Sequence, residues 1–390
     1  MRQLSLRNIG QIKHACIDFG DLTVFVGPQA SGKSITLQWI KLLNDWGLVQ
    51  RQLHTFGLDY AGDLRAFFDI YFGEGMHSIW TSTSEVRVDG EVVDVERRVA
   101  RQQARKIESV FLIPAQRVLA LANGWPRPFT AYNAGDPYAV RAFSEELRLL
   151  MEREFSGTGP LFPKSNRLKS DYRKLLQATV FANFQLSVDK VQSQKRLVLG
   201  TGTESLPFMV WSAGQREFVP LLLGLYWLMP PAKVARRDKI HWVIIEELEM
   251  GLHPRAIAVV LLMVLELLTR GYRVCLSTHS PQVLELIWAL EAIRKHAGTA
   301  DDLLGLFEAP RSAALRTMAG HALKKTTKVF YFDPADTTID ITELDPSSPQ
   351  AHEASWGGLL EFSARANTAV AKAVSSSPEY LSGNLFPDES

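Results

Sequence analysis

The apolar positions of the chain change period several times, and each change predicts an element. Alternation over residues 4–6 and 15–19, then an unbroken apolar run at 22–26, reads as three short strands. Ile35, Trp39, Leu42, Leu43 and Trp46 recur at helical spacing, so residues 27–34 are a strand-to-helix turn. Alternation returns at 78–83 and 85–88, is broken by Asp89-Gly90, and resumes at 91–95. That is a hairpin signal and predicts an antiparallel β lobe. Residues 110–113 read as a short buried strand ending at Pro114-Ala115-Gln116-Arg117.

Residues 118–180 have a different texture. Loop punctuation at 123–128 and helical stretches at 140–155 and 171–181 predict an inserted, mainly helical lobe. Strand patterns return between 185 and 211, and helices then alternate with strands at 240–245, 274–277, 329–332 and 339–344. A helix near 359–374 and a polar, mobile tail close the chain. The expected organisation is therefore an α/β core in two parts, 1–117 and 185–345. The helical lobe, 118–184, interrupts it, and 346–390 trail behind.

Composition narrows the function classes. The chain has 390 residues, 46% hydrophobic and 22% charged, ample for a large core, and its formal net charge is +1. No global field calls for nucleic acid or a membrane surface. Cys16 and Cys275 lie in apolar, strand-like contexts without metal-ligand spacing, as expected of reduced core thiols in a cytoplasmic protein. The N-terminus lacks the apolar core of a signal peptide, and the apolar run at 218–232 is too short to span a bilayer. No membrane association is expected.

The turn at 27–34 carries the strongest chemistry. It reads Gly27-Pro28-Gln29-Ala30-Ser31-Gly32-Lys33-Ser34. Its glycines let backbone N–H groups face a polyphosphate, and the positive helix N-terminus adds to the field. Lys33 can reach the β/γ-phosphates, and the Ser34 hydroxyl can ligate Mg²⁺. With a strand before it and a helix after it, this is a P-loop, and ATP is the expected ligand.

Three other segments bear on the site. The strand at 240–245 delivers Glu246-Glu247 at its C-terminal end, where one acid can support a metal and the next can polarise water. Equally, two acids can simply begin the next helix, where they suit its dipole. The strand at 274–277 leads into Thr278-His279-Ser280-Pro281. This histidine is either a group that faces the γ-phosphate or its water, or an ordinary loop residue. Ser212-Ala213-Gly214-Gln215 opens a helix. It offers a hydroxyl and amides to an anion, or else it is only a helix cap.

Taken in order, these motifs resemble the ABC-type ATPases, and most closely the OLD-like, AAA-15/AAA-21 class of prokaryotic ATPases. The resemblance rests on Glu246-Glu247-Leu248-Glu249-Met250-Gly251-Leu252-His253-Pro254 and Thr278-His279-Ser280-Pro281, together with the P-loop. It implies that residues 27–34 are Walker A, that Glu246 supports Mg²⁺, that Glu247 is the catalytic base and that His279 is the switch histidine. Ser212, Gly214 and Gln215 would be the signature, acting on ATP held by a second subunit, and Gln116 would sense Mg²⁺ and the γ-phosphate. Leu248 stands where proline is usual, Ala213 where the signature has glycine, and Glu246 where aspartate is common. OLD nucleases continue into a TOPRIM domain, and the segment after His279 is too short for one, so no nuclease activity is expected.

Two functions follow from the resemblance. The first is a homodimeric or larger nucleotide-driven switch that controls a separate effector or toxin protein, as in prokaryotic anti-phage systems. The alternative is a DNA-repair or chromosome-maintenance ATPase of the RecF/SMC-like group that binds DNA directly. For DNA, the cue is a stripe of Arg97, Arg101 and Arg105 on one helix, with Arg98 and Lys106 alongside. With Glu96 and Glu108 close by, a solvated face is the simpler expectation.

Overall fold

A computed structural model describes residues 1–101, 107–191, 194–201, 204–230, 236–237, 239–334, 337–345 and 348–375. The chain opens with β1 (Gln3–Ile9), β2 (Ile12–Asp18) and β3 (Leu22–Val26), and then α1 (Lys33–Thr55) and α2 (Leu64–Tyr71). β4 (Trp80–Val88) and β5 (Glu91–Val92) turn at Asp89 and Gly90, whose φ values of 52° and 87° are the left-handed pair of a tight hairpin. α3 (Val95–Ala100), β6 (Val110–Ile113), a small ribbon of β7 (Leu121–Ala122) and β8 (Trp125–Pro126), α4 (Tyr138–Glu154), β9 (Gly159–Phe162) and α5 (Ser170–Leu176) follow.

β10 (Gln185–Val191), β11 (Gln194–Gly200) and β12 (Ser205–Pro207) lead to α6 (Ala213–Leu228). β13 (Trp242–Ile245), α7 (Pro254–Thr269), β14 (Arg273–Ser277), α8 (Pro281–Lys295), α9 (Ala300–Leu306) and α10 (Ala313–Ala322) come next. β15 (Thr327–Phe332), β16 (Thr338–Asp340), α11 (Ala351–Ala354) and α12 (Glu361–Ser375) end the described chain.

Besides the β7–β8 ribbon, three larger sheets organise the described elements. A central sheet runs β16-β15-β3-β14-β13-β6, with β15, β3, β14, β13 and β6 mutually parallel and β16 antiparallel at the edge. The order β2-β1-β4-β5 forms the antiparallel lobe. The protein is thus an α/β fold in which a mainly parallel central sheet carries an antiparallel β lobe. In the segment after β8, α4 and α5 supply the helices, and β9 also joins β10, β11 and β12 in a four-stranded antiparallel sheet.

The central strands are apolar on both faces because both faces are covered. Val24 and Val26 of β3 belong to one core with α6, α7 and α8, whereas Phe25 belongs to another with α1 and the β lobe. A buried ionic network ties α1 to the sheet. The helix departs from helical geometry at Asp45 (φ −118°, ψ 23°), where the carboxylate accepts hydrogen bonds from Ser109 N–H at 2.8 Å and Val110 N–H at 3.0 Å. Lys41 Nζ donates to Asp45 at 2.8 Å, Glu108 at 2.9 Å and the Val110 carbonyl at 2.6 Å.

Three sequence expectations shift. The helix expected over 171–181 ends as α5 at Leu176 and continues as one wider π turn. That turn carries Phe181 to Phe162, at a ring separation of 4.5 Å. The strand expected at 339–344 stops at Asp340, whose side chain takes the Thr342 N–H at 2.9 Å and turns the chain. The basic stripe does not lie on one helix. α3 ends at Ala100, Arg101 is extended (φ −123°, ψ 132°), and Gln50 Nε2 binds the carbonyls of Arg98 and Arg101 at 3.0 and 3.2 Å. Arg98 lies over the Trp46 ring, 5.7 Å from its centroid. Arg105, Lys106 and the tail beyond Ser375 lie outside the described residues.

Candidate nucleotide site

The site lies at the C-terminal edge of four adjacent parallel strands, β3, β14, β13 and β6, the place where α/β sheets open a crevice. Each strand ends in one of the predicted segments: Gly27 after Val26, Thr278-His279 after Ser277, Glu246-Glu247 after Ile245, and Pro114 to Gln116 after Ile113.

The turn after β3 needs its glycines for two physical reasons. Gly27 and Gly32 have φ values of 142° and 98°, where L side chains are strained. A Cβ on Gly27 would lie 2.6 Å from the Phe332 carbonyl oxygen, and one on Gly32 would lie 2.3 Å from Ile12 Cγ1. Pro28, Gln29 and Ala30 are exposed at the rim, Ser31 is buried below them, and Ser34 is half-buried in the first turn of α1. No side chain caps α1, so the loop and helix N-terminus present main-chain N–H groups without a competing side-chain acceptor.

Lys33 is folded back into this loop. Its ammonium donates to the carbonyls of Gly27 at 2.8 Å and Pro28 at 2.6 Å, and to Ser31 Oγ at 3.3 Å. Burial lowers its pKa to about 8, against the opposing pull of Glu247 and Glu249.

The acid pair has an asymmetric environment. Glu246 is 2% exposed; its Oε2 accepts the Ala115 N–H at 3.1 Å, while its Oε1 is buried without a hydrogen-bond partner. Burial, reinforced by Glu247, raises its pKa to about 7, with the Ala115 hydrogen bond and Arg117 working against the shift. A buried carboxylate oxygen without a donor is chemically suited to a cation such as Mg²⁺. Glu247 is half-exposed, with Oε1 4.0 Å from His279 Nε2. Its backbone is left-handed, φ 43°, and its N–H donates to Ser277 Oγ at 3.2 Å.

Glu249 holds the histidine segment. Its carboxylate accepts Thr278 Oγ1–H at 3.0 Å and also the His279 N–H. His253 caps α7 through Nδ1, which accepts the Arg255 N–H at 3.3 Å. Gln116 is exposed at the turn beside Ala115, the residue that binds Glu246.

Lys33, Ser34, Glu246, Glu247, His279 and Gln116 are therefore carried on neighbouring strand ends. Ser212, Gly214 and Gln215 stand at the start of α6 instead, and the hydrogen bonds of Ser212 and Gln215 close within that helix. Ser212 N–H donates to Gln215 Oε1 at 3.1 Å, and Gln215 N–H donates to Ser212 Oγ at 3.2 Å, a full capping box. Gly214 packs on the turn after Glu247: a Cβ there would lie 2.8 Å from the Gly251 carbonyl oxygen.

Sequence reasoning missed Arg117, the largest buried polar group of the site. It is 0% exposed, and its guanidinium donates to the carbonyls of Glu217, Glu246, Glu247 and Met250. An arginine a few residues after a buried strand was the available signal, since arginine is rarely buried without partners.

Comparison with known proteins gives one family match. Residues 136–285 match a family described as "AAA domain, putative AbiEii toxin, Type IV TA system". That stretch contains α6, the acid pair and His279; the P-loop lies before it. No curated protein matches the chain in sequence. Among solved structures, the chain is similar to the SMC head domain from Thermotoga maritima, at 14% identity and a TM-score of 0.33, covering 73% of this chain and 92% of that one. It is also similar to an Smc head domain with an extended coiled coil bound to the C-terminal domain of ScpA, derived from Pyrococcus furiosus. There the identity is 10% and the TM-score 0.36, covering 73% of this chain and 90% of that one.

Proposed function

We propose that this chain hydrolyses ATP in the presence of Mg²⁺ and works as a homodimeric switch whose output passes to a separate effector protein. The observation that carries the reading is the delivery of an ammonium, two acids and a histidine to one edge by adjacent parallel strands. On nucleotide binding, Lys33 exchanges its loop carbonyls for the β/γ-phosphate oxygens. Ser34 and Glu246 would hold Mg²⁺, with Gln116 beside them, and a metal bound there would neutralise phosphate charge. Glu247 accepts the proton of the attacking water, and His279, within reach of the same carboxylate, orients that water or the γ-phosphate. The products are ADP and inorganic phosphate.

The signature turn contributes in trans. The resemblance to ABC-type ATPases supports this role; the turn itself packs beside Gly251, after the acid pair. Mixing Lys33→Ala subunits with Gly214→Asp subunits tests this. One composite site of the mixed dimer collects both defects and the other is intact, so two inactive proteins should regain partial ATPase activity together. Continued inactivity in mixed dimers confirmed by mass spectrometry would overturn the shared site.

The effector reading draws support from the toxin–antitoxin description of the matching family. Pure protein should hydrolyse ATP and leave plasmid DNA intact. Toxicity in cells should require a partner gene together with Lys33 and Glu247, and growth arrest by this chain alone would refute it. We place the switch in the cytoplasm, as the resemblance implies. No helix among the described residues is long and apolar enough to cross a membrane.

A further inference from the structure

The turn from Glu246 to Leu252 poses a local problem. Glu247, a residue with a side chain, sits at φ 43°, where L residues are strained. The carbonyls of Glu246, Glu247 and Met250 converge on one buried point beneath the turn, and the turn's own N–H groups satisfy them incompletely. Met250 N–H reaches the Glu247 carbonyl at 3.1 Å, and Leu252 N–H reaches the Glu249 carbonyl at 2.9 Å.

One side chain fills that point. Arg117 NH1 donates to the Glu246 carbonyl at 3.0 Å and the Glu247 carbonyl at 3.2 Å; NH2 donates to the Glu247 carbonyl at 3.2 Å and the Met250 carbonyl at 3.5 Å. Its third nitrogen, Nε, donates to the Glu217 carbonyl in the first turns of α6 at 3.1 Å and lies 3.7 Å from the Glu217 carboxylate. Only a planar fork with five N–H groups can span these acceptors; an ammonium is a single point. The Glu217 carboxylate oxygen facing it is itself buried without a hydrogen-bond partner.

We propose that Arg117 is a positioning residue. It locks the main chain of Glu247 so that its carboxylate faces His279, and it joins α6, the helix of the signature turn, to that carboxylate. The lock is two-sided, with Ser277 Oγ holding the Glu247 N–H and Arg117 holding its carbonyl. A shift of α6 therefore reaches Glu247 through one side chain. The inference rests on the reading of Glu247 as the base.

Its test is a double-mutant cycle. ATP affinity, kcat and KM are measured for wild type, R117K, E247Q and R117K/E247Q. R117K keeps the charge and loses the fork. It should bind ATP within about threefold of wild type while kcat falls by roughly 10²-fold, the scale of a misplaced catalytic group. In the E247Q background the same change should lower the residual rate by less than about twofold, because a residue acting through Glu247 has nothing left to position. A wild-type kcat in R117K overturns the proposal, and so does an equal loss in both backgrounds. If R117K does not fold, R117Q, which retains amide donors, enters the same cycle with the same expectations. Loss of fold in both variants, seen by circular dichroism, makes Arg117 structural and also overturns the proposal. A wild-type rate in E247Q removes the base and the lock together, whereas a wild-type rate in R117K beside an inert E247Q removes the lock alone.

Discussion

Two helix N-termini of this chain look alike in sequence and are built oppositely. α1 begins after Gly32-Lys33-Ser34 with no side-chain cap, and a buried lysine is bound by loop carbonyls. α6 begins at Ser212 with both arms of a capping box closed by its own residues. An uncapped helix start leaves donors that only a ligand or solvent can satisfy, whereas a capped one is stable by itself. The first leaves main-chain donors open, as the proposed nucleotide site requires. The second is satisfied by its own residues.

Four substitutions sharpen or break this contrast. The largest effect should come from the acid turn that lies between the two helix starts. Glu247→Gln should retain ATP binding while kcat falls by about 10²–10⁴-fold, the range for loss of a general base, as read by steady-state phosphate release. Next is the open start: Lys33→Ala should weaken ATP by about tenfold or more in calorimetry, since it removes the charge facing the phosphates. Equal affinity in the two proteins would break the contrast outright.

The third effect is a gain. The Glu246 carboxyl titrates near pH 7 in the fold against 4.5 as a free side chain. Between those values the folded protein holds a proton that the unfolded chain has lost, so this group's stability contribution falls as pH rises through 7. Glu246→Gln keeps an acceptor for the Ala115 N–H and carries no charge. Without nucleotide or Mg²⁺ it should be more stable than wild type by on the order of 2 kcal/mol at pH 8, with the difference fading toward pH 5, in urea melts. The smallest effect belongs to the closed start. Ser212→Ala should cost about 1 kcal/mol in the same melts, the usual value of an N-cap. A loss of ATPase activity larger than that stability change would show the hydroxyl acting on nucleotide.

The sequence made the two helix starts visible for different reasons. Gly27, Gly32 and Lys33 are constrained by geometry within a few residues, so the strand, turn and helix were legible together. The strand ends bearing Glu246 and His279 were legible because parallel strands covered on both faces read as unbroken apolar runs. What escaped notice depends on partners far along the chain. Arg117 is satisfied by carbonyls more than a hundred positions away, and no local pattern announces them. Asp45 breaks α1 because Ser109 and Val110 bind it, although the helical spacing runs on past it. Arg101 leaves the helix that spacing gave it because Gln50 takes up the carbonyls at its end. Chemistry confined to a turn can be read in one dimension; bonds that close over long loops cannot.

The network under α1 has an evolutionary consequence. Lys41 is the cation shared by Asp45 and Glu108, so removing it strands two carboxylates, whereas removing either acid leaves Lys41 paired with the other. Replacement of Lys41 alone is therefore a trap, whereas a joint exchange for apolar residues of matching volume is open. Among homologues Lys41 should change only together with its acids, even where the surface around them drifts freely.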